Sequence, residues 1–130
     1  MLRVYVLRQS RYPASISSIK DRVKAVLTEA GVLVSVVNVS LVGVRKMKEL
    51  GVKYLNEGLG DPTHEVLSFP AAEARGISNF VTDGDFLGDI IICYPEAQKI
   101  AIKRNRMMDD VIGELVEHGT MHLLGKHHKE

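Results

Sequence analysis

Short apolar segments with strand character alternate with segments of helical periodicity, and this alternation limits the fold more than any other feature. Residues 2–7, 32–42, 66–69 and 87–93 are rich in apolar and β-branched side chains, which favour strands. Four segments are predicted to be helices: residues 18–30, 44–55, 95–107 and 110–124. The first two have apolar residues at helical spacing. The order predicts an α+β fold with a single domain over residues 1–130, in which helices pack on one mostly four-stranded mixed sheet.

Glycine, proline and acidic residues mark the expected ends of these elements. Gly31 and Gly125 are placed to end the first and last helices. Pro95 suits the start of the third helix, and Asp109 or Asp110 could cap the fourth. Residues 56–62 and 70–86 have the composition of loops.

The composition favours a soluble protein of the cytoplasm. A chain of 130 residues with 45% hydrophobic residues can bury a core without disulfides. The single cysteine, Cys93, cannot form an internal disulfide, which suits a reducing compartment. Arginines interrupt the apolar residues at the N-terminus, so a secretory signal is not expected. No stretch approaches the roughly 20 apolar residues that span a membrane.

The formal net charge of +1 neither favours nor excludes nucleic acid as a partner. Attraction to phosphate would depend on local clusters of basic residues. The sequence has two such clusters: Arg45, Lys46 and Lys48, and Lys99, Lys103, Arg104 and Arg106.

Three of the five histidines fall in the segment H118-G-T-M-H122-L-L-G-K-H-H128. His118 and His122 are four residues apart, so they share one face of the predicted helix. Gly125 permits a tight turn that can return His128 toward the same face. Three imidazoles with a fourth position open describe a catalytic zinc site, with one Zn²⁺ per chain on a zinc-binding C-terminal helix. The expected catalytic group is a water on that zinc.

A histidine on a helix is more often a core or surface residue than a ligand, and a terminal pair of histidines can be the remnant of a tag. The third histidine and the intervening glycine favour the metal site instead. The spacing equals that of metzincin proteases, whose general-base glutamate follows the first histidine. Gly119 occupies that position here, and Glu117 should point away from the site. Peptide hydrolysis is therefore disfavoured, and Gly119 suggests close packing or a need for space.

Three segments together resemble the YbeY family (UPF0054), metal-dependent endoribonucleases of ribosomal RNA maturation. Residues 118–128 are similar to the family pattern H-G-x-L-H-L-x-G-[YF]-D-H, departing from it at Met121, Lys126 and His127. The segment P62-T-H-E-V-L-S-F-P70 resembles P-T-D-V-L-S-F-P with one extra residue or a shifted acidic position. The segment L87-G-D-I-I-I-C93 resembles L-G-D-I-x-I-x.

The resemblance implies a zinc ion held by His118, His122 and His128 and cleavage of single-stranded RNA. It also implies a role in ribosomal RNA maturation and small-subunit quality control, with ribosomal RNA precursors and the small ribosomal subunit as partners and no membrane. The family arginine that supports catalysis is expected after the Leu55–Asn56 pair, but E-G-L-G-D-P follows it here. His127 occupies the position of the family aspartate that precedes the last histidine. It could become a spare ligand or point to solvent.

Further residues are candidates for contact with substrate. Ser68 lies at the end of a predicted strand and could contact substrate or have a capping or turn role. Lys99, Lys103 and Arg106 recur at i, i+4 and i+7 and could follow an RNA backbone or form a solvated helix face. Asp89, inside an apolar strand, could orient a ligating imidazole or make a structural hydrogen bond.

Two other functions fit the same residues. The chain could be a metallohydrolase of another substrate, such as a peptide. Alternatively, it could be a zinc-stabilised, non-catalytic ribosome-binding protein, which the absent arginine makes credible.

Overall fold

The strands and helices follow one another in the order that the sequence pattern predicts. The computed structural model describes residues 1–73 and 85–125. Within these ranges the elements are β1 (Leu2–Leu7), α1 (Ile16–Glu29), β2 (Ser35–Val42), α2 (Val44–Leu55), β3 (Val66–Pro70), β4 (Phe86–Cys93), α3 (Tyr94–Arg104) and α4 (Met108–Leu123).

The four strands form one mixed sheet in the order β1-β2-β4-β3, which confirms the predicted architecture. β1, β2 and β4 are parallel, with Val4 opposite Val37 and Val39 opposite Ile90. β3 pairs in the antiparallel direction with the edge of β4 that faces away from β2, with Ser68 opposite Ile90. β-branched side chains fill the central strands because both faces of the sheet are covered by helices.

Helices cover the two faces of the sheet unequally. Alternate side chains of a strand point to opposite faces, so neighbouring residues belong to different cores. The larger core joins the sheet to α1, α3 and α4 and includes Val39, Ile90 and Val116. The smaller core joins the other face to α2 and includes Leu50 and Ile91. α4 thereby lies against β3 and β4.

Two helix ends differ from the sequence prediction. α3 ends at Arg104 and does not reach Met107, because Asn105 adopts the left-handed conformation with φ of 53°. α4 begins after Met107, which is its N-cap, so neither Asp109 nor Asp110 caps it. Both aspartates lie in the first turn instead, where their negative charges interact favourably with the helix dipole.

Two other predicted ends are confirmed or refined. Gly125 has φ of +79° directly after the C-cap of α4, as predicted for a helix stop. Of the predicted loop over residues 70–86, Pro70 is the last residue of β3, residues 71–73 form a 3₁₀ turn and Phe86 begins β4. The central part of that loop, residues 74–84, lies outside the described residues.

Among the helices of residues 1–73 and 85–125, none has the length and apolar character needed to cross a membrane. Cys93 is buried at the end of β4 with a free thiol. Burial is the main cause that raises the pKa of this thiol, so it is a packing residue and a poor nucleophile.

Candidate metal centre

α4 brings His118 and His122 together on the face that it turns toward β3. The two Nε2 atoms are 3.0 Å apart, and the ring centroids are 4.7 Å apart. Both side chains are half-buried. They line a recess of about 240 Å³ with Val66, Leu67 and Ser68 of β3. The structure therefore confirms that these two histidines share one face beside a cavity.

The distance between the two nitrogens fits a shared zinc ion. Zn–N bonds are about 2.0–2.1 Å long, so two nitrogens 3.0 Å apart can both reach one ion at an angle of about 95°. A tetrahedral angle needs a separation of about 3.3–3.4 Å, which a small change in one side-chain torsion supplies. Two neutral imidazoles are also a donor set that zinc prefers.

The third predicted ligand, His128, lies outside the described residues, as does His127. In the described part of the chain, no group of three histidine, cysteine or acidic side chains could hold a metal ion. The centre thus consists, within the described ranges, of the His118–His122 pair.

Close packing explains why a glycine occurs in the middle of α4. A Cβ atom at Gly119 would lie 2.8 Å from Ile90 Cγ2 and 3.0 Å from Ser68 Oγ. Such contacts are too short for a side chain, so only glycine lets α4 approach β3 and β4 this closely. The packing explanation of Gly119 is confirmed.

Ser68 connects the sheet to the metal-centre helix. Its hydroxyl donates a hydrogen bond of 3.1 Å to the carbonyl oxygen of Gly119. This bond joins β3 to α4 at Gly119, a position between His118 and His122 in the sequence. The bond uses the only proton of the hydroxyl. The serine oxygen retains acceptor capacity beside the recess. Ser68 therefore has a structural role, and contact with substrate stays a prediction.

Glu117 points away from the histidine pair, as expected from its helical position. Its carboxylate accepts a bond of 3.2 Å from the Arg22 guanidinium of α1, which also reaches Asp110 at 3.4 Å. The carboxylate thus stabilises the contact between α1 and α4 and is not available as a general base.

Asp89 orients neither of the two described imidazoles, His118 and His122. It is only 1% exposed and lies opposite Asn38 in the register of β2 and β4. Its neighbour Ile90 faces α4, so the Asp89 side chain points to the opposite face of the sheet. Burial raises the pKa of Asp89 to about 6, and a hydrogen bond from the Asn38 side chain opposes part of that rise. The alternative of a structural hydrogen bond is therefore correct.

The three basic residues proposed as an RNA-binding stripe do not share one helix. Arg106 lies beyond the end of α3 and binds Glu114 through two hydrogen bonds of 2.7 and 2.6 Å. Lys99 pairs with Glu96 at 2.9 Å. Lys103 is exposed in the last turn of α3. The i, i+4, i+7 stripe is wrong as a helical feature, because Asn105 reverses the backbone before Arg106.

Sequence reasoning missed a second histidine interaction, in the connection between α2 and β3. His64 Nε2 lies 2.5 Å from Glu57 Oε2. His64 belongs to the P-T-H-E segment, where it is the inserted or shifted residue relative to the family pattern. The glutamate lies seven residues earlier in an irregular loop, so no periodicity connects the two.

Comparison with known proteins identifies the family and agrees with the fold. The family model described as endoribonuclease YbeY matches residues 7–130. The chain therefore belongs to the YbeY family, and the resemblance seen in its three sequence segments is confirmed.

Curated relatives named endoribonuclease YbeY are similar to this chain, and two of them illustrate the extent of the similarity. The protein of Thermobifida fusca (strain YX) is 39% identical over 94 residues, which are 72% of this chain and 59% of the relative. The protein of Dehalococcoides mccartyi is 34% identical over 105 residues, which cover 74% of this chain and 59% of the relative. The matched part of the chain thus spans about three fifths of the length of these relatives.

A solved structure shows the same fold. The solution structure of TM1509 from Thermotoga maritima superposes with a TM-score of 0.57 at 25% sequence identity. The superposition covers 99% of this chain and 75% of that chain. The overall architecture of the chain is therefore already seen in a solved protein.

Proposed function

We propose that this chain is a zinc-dependent endoribonuclease that cuts single-stranded RNA during ribosomal RNA maturation and small-subunit quality control. The observation that carries the proposal is the pair of Nε2 atoms 3.0 Å apart at the edge of a recess, within a chain of the YbeY family. His118 and His122 would hold the ion, with His128 as the third ligand. The relatives named endoribonuclease support RNA as the substrate.

When bound, zinc supplies Lewis acidity, which polarises a phosphoryl oxygen and lowers the pKa of water. The residues of the recess would position the substrate. Ser68 donates its proton to the Gly119 carbonyl, so its oxygen is left to accept a hydrogen bond, for example from a ribose hydroxyl. Val66 and Leu67 supply an apolar wall that limits access of bulk water. We place the enzyme in the cytoplasm, with ribosomal RNA precursors and the small ribosomal subunit as partners.

Metal analysis combined with RNA cleavage tests the proposal. The wild-type chain should bind one zinc ion and cut single-stranded ribosomal RNA precursors, with loss of cleavage in chelator and recovery on zinc addition. His118→Ala and His122→Ala should lose both zinc and cleavage. His64→Gln is the matched control, because it changes a histidine outside the recess and keeps a side-chain amide beside Glu57. Cleavage that survives in His118→Ala, or equal loss in His64→Gln, would refute the assignment.

A non-catalytic, zinc-stabilised ribosome-binding protein is the second candidate. It is favoured by the described lining of the recess, which contains neither a carboxylate nor an arginine. This alternative predicts that zinc-loaded wild type binds small subunits without cutting any RNA, while His118→Ala loses stability. A panel of fluorogenic peptides in the same assay tests the remaining alternative, a metallohydrolase of another substrate.

A further inference from the structure

A second cavity lies away from the histidine pair, where the parallel strands β1 and β2 end. It has a volume of about 350 Å³ and is bordered by the first turn of α2. Such a volume suits a small ligand. In open sheets, ligands commonly bind outside the carboxyl ends of parallel strands. Its polar lining comprises Arg8, Gln9, Ser40, Gly43 and Lys46.

The charges around this cavity are positive and unbalanced. Arg8 follows directly after β1, Lys46 lies in the first turn of α2, and both are exposed at the cavity. Neither forms an ion pair with a described residue, and none of the described residues that line the cavity is acidic. A lysine in the first turn of a helix is disfavoured by the helix dipole, and a bound anion would offset that cost.

The backbone of α2 adds hydrogen-bond donors at the same place. The N-cap is Gly43, so no side chain caps the first N–H groups among the described residues. A capping side chain would require the buried Tyr12 to shift, because a Cβ at Gly43 would lie 2.7 Å from Tyr12 Oη. The first-turn N–H groups are thus left to an external acceptor.

Ser40 is an independent sign of a ligand. It is 7% exposed and lines the cavity from β2, and its hydroxyl has no hydrogen-bond partner in residues 1–73 and 85–125. Its oxygen is not one of the fully enclosed atoms without a partner, so the hydroxyl opens onto the cavity and is left to bond to water or a ligand there. Leu7, Leu41 and Ile91 form apolar walls around it.

We propose that this cavity binds a nucleoside monophosphate, either free or as the 5′-phosphorylated end of an RNA chain. The two cations and the helix N-terminus match the charge of a phosphomonoester, close to −2, better than the single charge of an internal phosphodiester. Ser40 donates to the phosphate or the ribose, and the apolar walls contact the base. The inference does not depend on cleavage at the histidine pair.

Equilibrium binding to uncleavable RNA tests the proposal separately from catalysis. The probes are a 2′-O-methyl octamer with a 5′-phosphate, the same octamer with a 5′-hydroxyl, AMP and inorganic phosphate. The 5′-phosphorylated octamer, AMP or both should bind at least about tenfold more tightly than the 5′-hydroxyl octamer. Binding of AMP alone would identify free nucleotides as the source, whereas binding of both would include RNA ends. Inorganic phosphate should bind more weakly than AMP, because it cannot use the apolar walls.

Three variants and one control locate the binding. Arg8→Ala, Lys46→Ala and Ser40→Ala should each weaken binding of the preferred probe about tenfold, since each removes a donor to a charged group. Lys53→Ala, an exposed lysine near the other end of α2, should bind like wild type. Thermal melts check that all four variants remain folded. The proposal fails if neither AMP nor the 5′-phosphate gives a preference, if Lys53→Ala loses as much affinity as Lys46→Ala, or if inorganic phosphate binds as tightly as AMP.

Discussion

At the scale of single residues, Gly119 and Asp89 show how contacts across the fold determine which side chain a position can hold. Gly119 lies where α4 packs against β3 and β4, and a side chain at this position would overlap with Ile90 and Ser68. Asp89 is a carboxyl group that the fold buries beside Asn38. Each residue yields a prediction about stability.

Gly119→Ala should destabilise the protein although alanine is the better helix former. The helix propensity gains about 1 kcal/mol, but overpacking in a core typically costs about 1–3 kcal/mol. We expect a net loss of about 1 kcal/mol in the free energy of unfolding, measured by urea denaturation. Gly60→Ala is the control, because a Cβ at that loop position would meet nothing within 4 Å. A Gly119→Ala variant more stable than wild type would contradict the packing explanation.

Asp89→Asn should change the pH dependence of stability in a defined direction. The folded-state pKa of Asp89 is about 6, above its ordinary value of 3.8, so the protonated carboxyl is favoured by folding. This contribution is fully present below pH 3.8 and is lost as the pH rises through 6. The difference corresponds to about 3 kcal/mol. Relative to Asp89→Asn, wild type should therefore gain about that much stability between pH 7 and pH 4, measured by denaturant unfolding at each pH. A constant difference between the two proteins would show that Asp89 does not titrate in this range.

At the scale of elements, the contact between α4 and the β3 edge determines the geometry of the recess beside the histidine pair. Ser68 bonds to the backbone of α4 between His118 and His122, and the helix periodicity aligns the two rings. On the far side of α4, Arg22 holds the helix against α1. The recess is therefore formed by a strand and a helix that are each fixed by further contacts.

Loss of the Ser68 hydroxyl should loosen this contact. In Ser68→Ala the carbonyl of Gly119 loses its hydrogen bond, which costs about 1 kcal/mol of stability. We also expect a lower affinity for zinc, because α4 is less firmly held beside the recess. Ser17→Ala, an exposed serine in the first turn of α1, is the matched control. Unchanged stability and zinc affinity in Ser68→Ala would remove the positioning role.

The basic residues near α3 give a prediction about RNA binding. Reversing the charge of Lys99, Lys103 and Arg106 together should weaken RNA affinity and reduce its dependence on salt concentration, measured by titration at several ionic strengths. Glu96 and Glu114 already compensate two of these charges, so Lys103→Glu alone should account for most of the effect. If the triple variant binds RNA like wild type, this surface is not part of the interface.

At the scale of the whole molecule, the candidate metal centre lies on the last described helix, beside the edge strand β3. A metal that binds the folded chain and not the unfolded chain raises stability by mass action. At a free zinc concentration about one hundred times the dissociation constant, the gain is about 2.7 kcal/mol, or roughly 10 °C in melting temperature.

Chelation should therefore lower the melting temperature of wild type by about that amount, as measured by calorimetry. His118→Ala should melt at the same temperature with and without zinc, because it lacks a ligand. His64→Gln should keep the zinc-dependent shift. A zinc effect of equal size in His118→Ala would place the binding elsewhere in the chain.

The sequence by itself determined the order of the strands and helices and the alignment of His118 with His122. These features depend on local periodicity, which is fixed by the geometry of helices and strands. The left-handed Asn105, which ends α3 before Arg106, has no signal of this kind, and the expected basic stripe failed there.

Only the tertiary structure decided which side chains meet across the fold. It placed Asp89 on the face opposite α4, paired Ser68 with the backbone of Gly119, and brought Arg8 and Ser40 to one cavity with α2. These partners are separated by tens of residues in the chain. Their proximity follows from strand order and helix packing, which no local pattern of residues encodes.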